Sequence, residues 1–256
     1  MLRAALLAAT LPFIAIAAEP LRPVPLKGGI EFQGADVRAL QADEFANPGS
    51  LWIEGGERLW NEKRGARGVS CAACHGADGS SMEGVAVKYP RYSDSLGRVV
   101  DLEQRVAACV EHNQEAARPA YESQELLSLA AFVASRSRGL AISPDASPQS
   151  QAVYERGRSL YFERQGQLNL ACTNCHDASW GKRLLAETVS QGQPADWPAY
   201  RLEWQAMGSI ERRLRACYLG VRAEMPAYGS DDLVALEVYL SRRGQGLVSH
   251  APGVRR

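Results

Sequence analysis

Three things are scarce in this 256-residue chain, and each scarcity narrows its function. Long apolar runs are missing after residue 17. The one run present lies in "MLRAALLAATLPFIAIAAEP", extends from Ala4 to Ala17 and includes Pro12. It is shorter than the roughly 20 residues a spanning helix needs. Arg3 precedes it, and Ala15 and Ala17 stand where a signal peptidase reads small residues. Residues 1–17 are therefore expected to be a removed signal peptide, leaving a soluble exported chain without a membrane span. An excess of either charge is also missing. The 29 basic and 29 acidic residues cancel, and loss of Arg3 shifts the balance by one, which leaves no nucleic-acid footprint. Lysine is the third scarcity, with four among the 29 bases. Cationic work falls to arginine, whose planar fork grips oxyanions, although the total by itself assigns no function.

Six cysteines are present, at 71, 74, 109, 172, 175 and 217. An exported chain is free to pair them as disulfides, but four stand in "CAACH" (71–75) and "CTNCH" (172–176). Both strings fit the c-type haem attachment pattern C-x-x-C-H. Two thiols add across the two haem vinyl groups, and the adjacent histidine reaches the iron. Two covalently bound haem c groups are expected. Cys71, Cys74, Cys172 and Cys175 become the thioethers, and His75 and His176 the proximal ligands.

The surroundings of the two strings repeat. "GERLWNEKRG" (56–65) matches "GRSLYFERQG" (157–166), and "PAYESQELLSLAAFVASRSRG" (119–139) matches "PAYGSDDLVALEVYLSRRG" (226–244). The downstream segments read as helices. Ser123 and Ser230 are their N-caps, Leu126, Leu129 and Val133 or Leu233, Leu236 and Leu240 their apolar faces, and Gly139 and Gly244 their ends. Helix, haem string, loops and helix, twice over, predict an all-α chain, and the arrangement resembles two cytochrome c class I domains in tandem, which implies two such haem domains joined by a short linker. The predicted boundaries are an N-terminal extension over 18–46, domain 1 over 47–142 and a linker over 143–150. Domain 2 then covers 151–249, and a C-terminal tail covers 250–256.

Each iron has room for a second axial ligand. Met225, in Met-Pro-Ala-Tyr, is a candidate by the habit of simple cytochromes c, but its counterpart in the first repeat is Arg118. Cys109 and Cys217 do correspond, ten and nine residues before Pro119 and Pro226, which points to a shared role as iron ligands. A Cys109–Cys217 disulfide is the plainer alternative, and His112 is a further one for the first haem. Met82 and Met207 are expected to be packing residues. A thiolate on iron favours Fe(III), lowers the potential and is itself a candidate nucleophile. The alternatives are a plain di-haem electron carrier using Met225, a di-haem peroxidase, and a scaffold subunit.

The stretches "YFERQGQLNLACTNCHDASWGKRL" and "PAYRLEWQAMGSIERRLRACYLGVRAEMPAYGSDDLVALEVYLSRRGQG", with the ending "APGVRR", closely resemble the SoxA family of SoxAX cytochromes. The resemblance implies an L-cysteine S-thiosulfotransferase of the periplasm, which joins thiosulfate oxidatively to a cysteine thiol of the carrier SoxYZ. Two electrons pass through haem to an acceptor cytochrome c, and the partner is the mono-haem SoxX. It further implies that Cys217 is the catalytic cysteine, a ligand of the second iron and a persulfide. Cys109 then ligates the first iron, and Arg213 binds substrate. The residues agree with the last point: "SIERRLRACYLG" reads as a helix from Ser209 to Gly220, on which a spacing of four puts Arg213 and Cys217 on one face. Arg222 and Arg242 are weaker candidates for the same basic pocket.

Overall fold

The structure, a computed structural model, describes residues 25–43 and 45–256, so the expected signal peptide lies outside the described residues. Helix dominates. In chain order the helices are α1 (Ala35–Ala42), α2 (Ser50–Asn61), α3 (Cys71–His75), α4 (Leu102–Ala108), α5 (Gln124–Ser135), α6 (Pro148–Phe162), α7 (Cys172–His176), α8 (Ile210–Gly220) and α9 (Asp231–Arg243).

Two helix pairs carry the core, α2 with α5 and α6 with α9. Glycine lets each pair close. A Cβ on Gly56 would lie 2.1 Å from the Ser128 carbonyl oxygen, and one on Gly157 would lie 1.9 Å from that of Ala235. Only hydrogen fits at either crossing. Around the first crossing, Trp60, Leu129, Phe132 and Val133 are buried together. Around the second, Leu160, Tyr161, Leu236 and Tyr239 are. The expected N-caps are in place: the Ser123 hydroxyl accepts from Leu126 N–H, and that of Ser230 from Leu233 N–H. Gly244 caps α9, whereas α5 stops at Ser135, before Gly139.

The all-α expectation needs correction, because short strands are present. A hairpin of β1 (Arg91–Ser93) and β2 (Arg98–Val100) precedes α4. A second, of β3 (Arg183–Leu184) and β4 (Glu187–Thr188), follows α7. A third, of β5 (Ala199–Arg201) and β6 (Ala206–Gly208), precedes α8. The third gains a parallel partner in β7 (Gly253–Arg255), with Tyr200 opposite Val254. The expected C-terminal tail is thus a buried strand, against which α1 packs. Nor is the expected linker loose. Asp145 accepts hydrogen bonds from Tyr92 N–H at 2.9 Å and Ser147 N–H at 2.8 Å, and α6 begins within the segment at Pro148.

The first and third hairpins expose a longer repeat. "YPRYSDSLGRVVDLEQRVAAC" (89–109) aligns without a gap on "WPAYRLEWQAMGSIERRLRAC" (197–217). Both run hairpin, capped helix, cysteine. Asp101 and Ser209 are the matched N-caps, accepting from Gln104 N–H and Arg212 N–H. Each hairpin sets the start of the helix that delivers its cysteine.

Candidate active site

α7 puts its two thiols at the i and i+3 positions of a short helix and His176 at i+4 from the first, so all three lie on one side. Asn174 secures the helix start, its side-chain oxygen accepting from Ala171 N–H at 2.8 Å. His176 Nδ1 lies 2.8 Å from the Ser190 carbonyl oxygen. A carbonyl only accepts, so Nδ1 carries the proton and Nε2 keeps its lone pair for a metal. Gly192, at φ +71°, sits so close to the ring that a Cβ would lie 3.0 Å from His176 Cγ.

α8 delivers Cys217 to the same place. Ser209 caps this helix, which runs from Ile210 to Gly220 as the spacing predicts. The Cys217 sulfur lies beside the His176 side chain. Burial pushes its pKa up, but Arg213, His176 and Arg201 together outweigh burial and bring it down to about 7. Neighbouring thiols move the other way. Burial, then the nearby Cys217, pushes Cys172 up to about 12 and raises Cys175. In the first half, burial and then Cys109 push Cys71 up to about 11. Cys217 is therefore the sulfur set up to be anionic.

The other half has the same parts in a different setting. Trp60 Nε1–H donates to the Gly76 carbonyl at 2.8 Å, and its ring lies 5.7 Å from that of His75. Cys109 opens a π-helical turn, Cys109–Asn113, directly after α4. Such turns gather at functional sites. Gln114 Nε2 reaches the Val69 carbonyl at 3.1 Å and Cys71 Sγ at 3.8 Å, tying this turn to the attachment string.

None of the six cysteines is paired in a disulfide. Cys109 sits with Cys71 and Cys217 with Cys172 and Cys175, so the 109–217 disulfide is not formed. Met225 is 42% exposed. The His112 side chain is also exposed, beside Glu111. Met207 is fully buried, and Met82 packs against the first core.

Of the arginines, Arg213 Nη2 lies 3.6 Å from Glu187 Oε2, and the charge of Cys217 raises its pKa. Arg212 turns to Glu122 and the Trp204 ring, and Arg215 to the Pro226 carbonyl and the Tyr228 ring. Arg242 does not belong to this pocket. It binds the Asp145 carbonyl at 3.2 Å and Ser150 Oγ at 2.7 Å, and stacks on Tyr154, because α9 directs it toward the start of α6. Arg222 is exposed, on a left-handed backbone at φ +58°. The residue that sequence reasoning missed is Arg201 on β5. It is buried, and its charge reaches Cys217. The gapless 89–109 repeat was the available signal, since it aligns Arg105 with Arg213 but places Ser93 opposite Arg201.

The donor sets suit haem c at both strings. Each supplies two thiols for the vinyl groups, a histidine after them and a further cysteine on a capped helix. In the second, the tethered Nδ1 leaves the correct nitrogen for iron.

A protein-family model described as SoxA/TsdA, cytochrome c domain, matches residues 55–142. The L-cysteine S-thiosulfotransferase subunit SoxA of Pseudaminobacter salicylatoxidans is 38% identical over 226 residues, covering 88% of this chain and 79% of that one. The SoxA subunit of Rhodovulum sulfidophilum is 35% identical over 230 residues, covering 90% and 80%. The crystal structure of SoxXA from P. pantotrophus superposes with a TM-score of 0.87 at 32% identity, over 90% of this chain and 87% of that one. With such identity sustained over most of both lengths, the chain belongs to the SoxA family.

Proposed function

We propose that the chain is the catalytic, haem c-binding subunit of an L-cysteine S-thiosulfotransferase. The observation that carries this is the placement of Arg213 one helical turn before Cys217, with the Cys217 sulfur against His176 of the attachment string. The repeated helix pairs and hairpins support two tandem cytochrome c domains, each with one covalent haem c. Cys71, Cys74, His75 and Cys109 would hold the first, and Cys172, Cys175, His176 and Cys217 the second. A removed signal peptide and a periplasmic location complete the reading, because haem attachment at C-x-x-C-H goes with export. The likeness to a SoxXA structure supports a SoxX-type cytochrome as partner. A thiol carrier of the SoxYZ kind and an acceptor cytochrome c follow from the chemistry. Among the described residues, no helix is long and apolar enough to cross a membrane.

Thiosulfate is a dianion with a sulfonate head and a sulfane sulfur. The Arg213 fork donates paired hydrogen bonds to the sulfonate, which points the sulfane sulfur at Cys217. The Cys217 thiolate and the sulfane sulfur then join in an S–S bond, releasing two electrons. Haem c, held by Cys172, Cys175 and His176, would supply the one-electron acceptance that this two-electron oxidation needs on the way to the acceptor. A carrier thiolate next attacks the sulfane sulfur. The bond to Cys217 breaks, the carrier leaves as its S-thiosulfonate, and Cys217 returns as thiolate.

The test is thiosulfate-dependent reduction of an acceptor cytochrome by the holoprotein with its partner and a thiol carrier. Cys217→Ser, with covalent haem verified by mass, is expected to lose about a thousandfold or more in turnover. Turnover retained in that variant would reduce the protein to an electron carrier.

A further inference from the structure

Arg201 is held from several sides. Its Nε–H donates to the Arg256 carbonyl at 2.8 Å, its Nη2 bonds Glu203 Oε2 at 2.8 Å and Glu187 Oε1, and its guanidinium lies over the Trp204 ring. Strands β6 and β7 flank the strand that carries it. Glu187 offers its second oxygen to Arg213 at 3.6 Å. One carboxylate therefore bridges two guanidinium groups whose charges both bear on Cys217. Burial, then the charge of Arg213, lowers the pKa of Arg201, as for two cations sharing one small volume.

Glu187 is not anchored as Arg201 is. It lies on the β3–β4 hairpin, which is a two-stranded sheet of its own with an exposed tip at Leu184 and Leu185. It also lines a cleft of about 340 Å³ with Arg183 and Arg256, which gives its carboxylate somewhere else to go.

We propose that Glu187 is a displaceable counter-ion: its carboxylate occupies, between Arg201 and Arg213, the seat taken by the sulfonate end of an incoming sulfur oxyanion. The proposal rests on the reading of Arg213 as the oxyanion contact. The two guanidinium charges are already balanced by Glu187 and Glu203, so a dianion entering with Glu187 still seated would add two uncompensated negative charges, and displacement of Glu187 relieves one of them. A sulfonate has three acceptor oxygens against the carboxylate's two, and the dianion that bears it brings one more negative charge to the neighbourhood of the two guanidinium groups than the carboxylate does. The tethered carboxylate also makes the seat selective. Chloride and other monoanions gain no charge over Glu187 and fail to displace it, whereas a dianion does. Discrimination of this kind comes from the competing group as much as from the attractive one.

The experiment is calorimetric titration of the holoprotein, in complex with its partner, with sulfate, a dianion that has no sulfane sulfur, and with chloride. Glu187→Gln is expected to bind sulfate about tenfold more tightly and to lose most of its discrimination against chloride. Glu187→Ala is expected to do the same, which covers the case of a glutamine amide that stays in the seat. Glu203→Gln removes one charge from Arg201 at a far more exposed position and is expected to change sulfate affinity by no more than about twofold. Weaker or unchanged sulfate binding in both Glu187 variants overturns the proposal and makes Glu187 a brace. Absence of sulfate binding in all four proteins, the parent included, also overturns it. Turnover retained in Cys217→Ser alongside tighter sulfate binding in Glu187→Gln would instead overturn the catalytic reading and leave the anion seat standing.

Discussion

Gly192 lies against the ring of His176 so closely that a Cβ would sit 3.0 Å from Cγ and 3.1 Å from Nδ1. The same turn presents the Ser190 carbonyl to Nδ1 at 2.8 Å. A three-residue loop thus sets both the tautomer of the histidine and the plane of its ring.

Gly192→Ala meets two penalties, a left-handed φ of +71° and the ring contact. Gly246, at φ +90°, has nothing among the described residues within 4 Å of its Cβ position and meets only the first. We expect Gly246→Ala to cost about 1 kcal/mol and Gly192→Ala about 2–4 kcal/mol. Denaturant midpoints of the two holoproteins measure the difference, and a changed Soret band in Gly192→Ala alone would report the displaced ring. Equal midpoints would show that the ring moves freely.

Arg213→Lys keeps the charge beside Cys217 but loses the fork. KM for thiosulfate is expected to rise about 10- to 100-fold, corresponding to one charge-assisted hydrogen bond. Arg212 on the same helix faces Glu122 and Trp204. Arg212→Lys should leave KM within about twofold. Steady-state kinetics of both variants with the same partner preparation checks the pair.

The buried carboxylates between α4, α8 and α9 make stability depend on pH. Oxygens of Asp101, Glu211 and Glu237 lie within 4.8 Å of one another. Tyr121 O–H donates to Asp101 at 2.6 Å and Gly229 N–H to Glu211 at 2.7 Å, while Glu237 Oε1 has no hydrogen-bond partner among the described residues. Burial and then the charge of Asp101 raise Glu103 to about 8 and Glu211 to about 9, and Glu237 is also raised. Unfolded, these groups release protons near the usual glutamate value of about 4.3. Folded, Glu103 and Glu211 keep theirs to pH 8–9, and Glu237 holds its proton well above the usual carboxylate range. Between those limits the native chain binds more protons, so this contribution is complete below about pH 4.3 and is lost as pH rises through 8–9. Glu237→Gln keeps the shape and removes the titration. Urea unfolding at pH 5 and pH 9 should show a smaller fall in stability for this variant than for the parent. An equal fall would mean that Glu237 does not take part.

The sequence by itself determined whatever depends on local spacing. Haem attachment needs two thiols three apart with a histidine next, and that chemistry is written in five consecutive letters. The face shared by Arg213 and Cys217 follows from the 3.6-residue period of α8, and the serine caps from the residues that start α5 and α9. The glycines at 56 and 157 were visible as matched letters, but their reason, backbone carbonyls of α5 and α9 at the crossings, was not.

Only the tertiary structure decided what depends on distant partners. Three-residue strands carry too little alternation to announce themselves, and β7 becomes a strand because β5, some fifty residues earlier in the chain, offers it an edge. Arg201, Glu187 and Arg213 come from β5, β4 and α8, and nothing in their spacing draws them together. Their meeting beside Cys217 results from packing, since a buried guanidinium must find a carboxylate wherever the fold provides one.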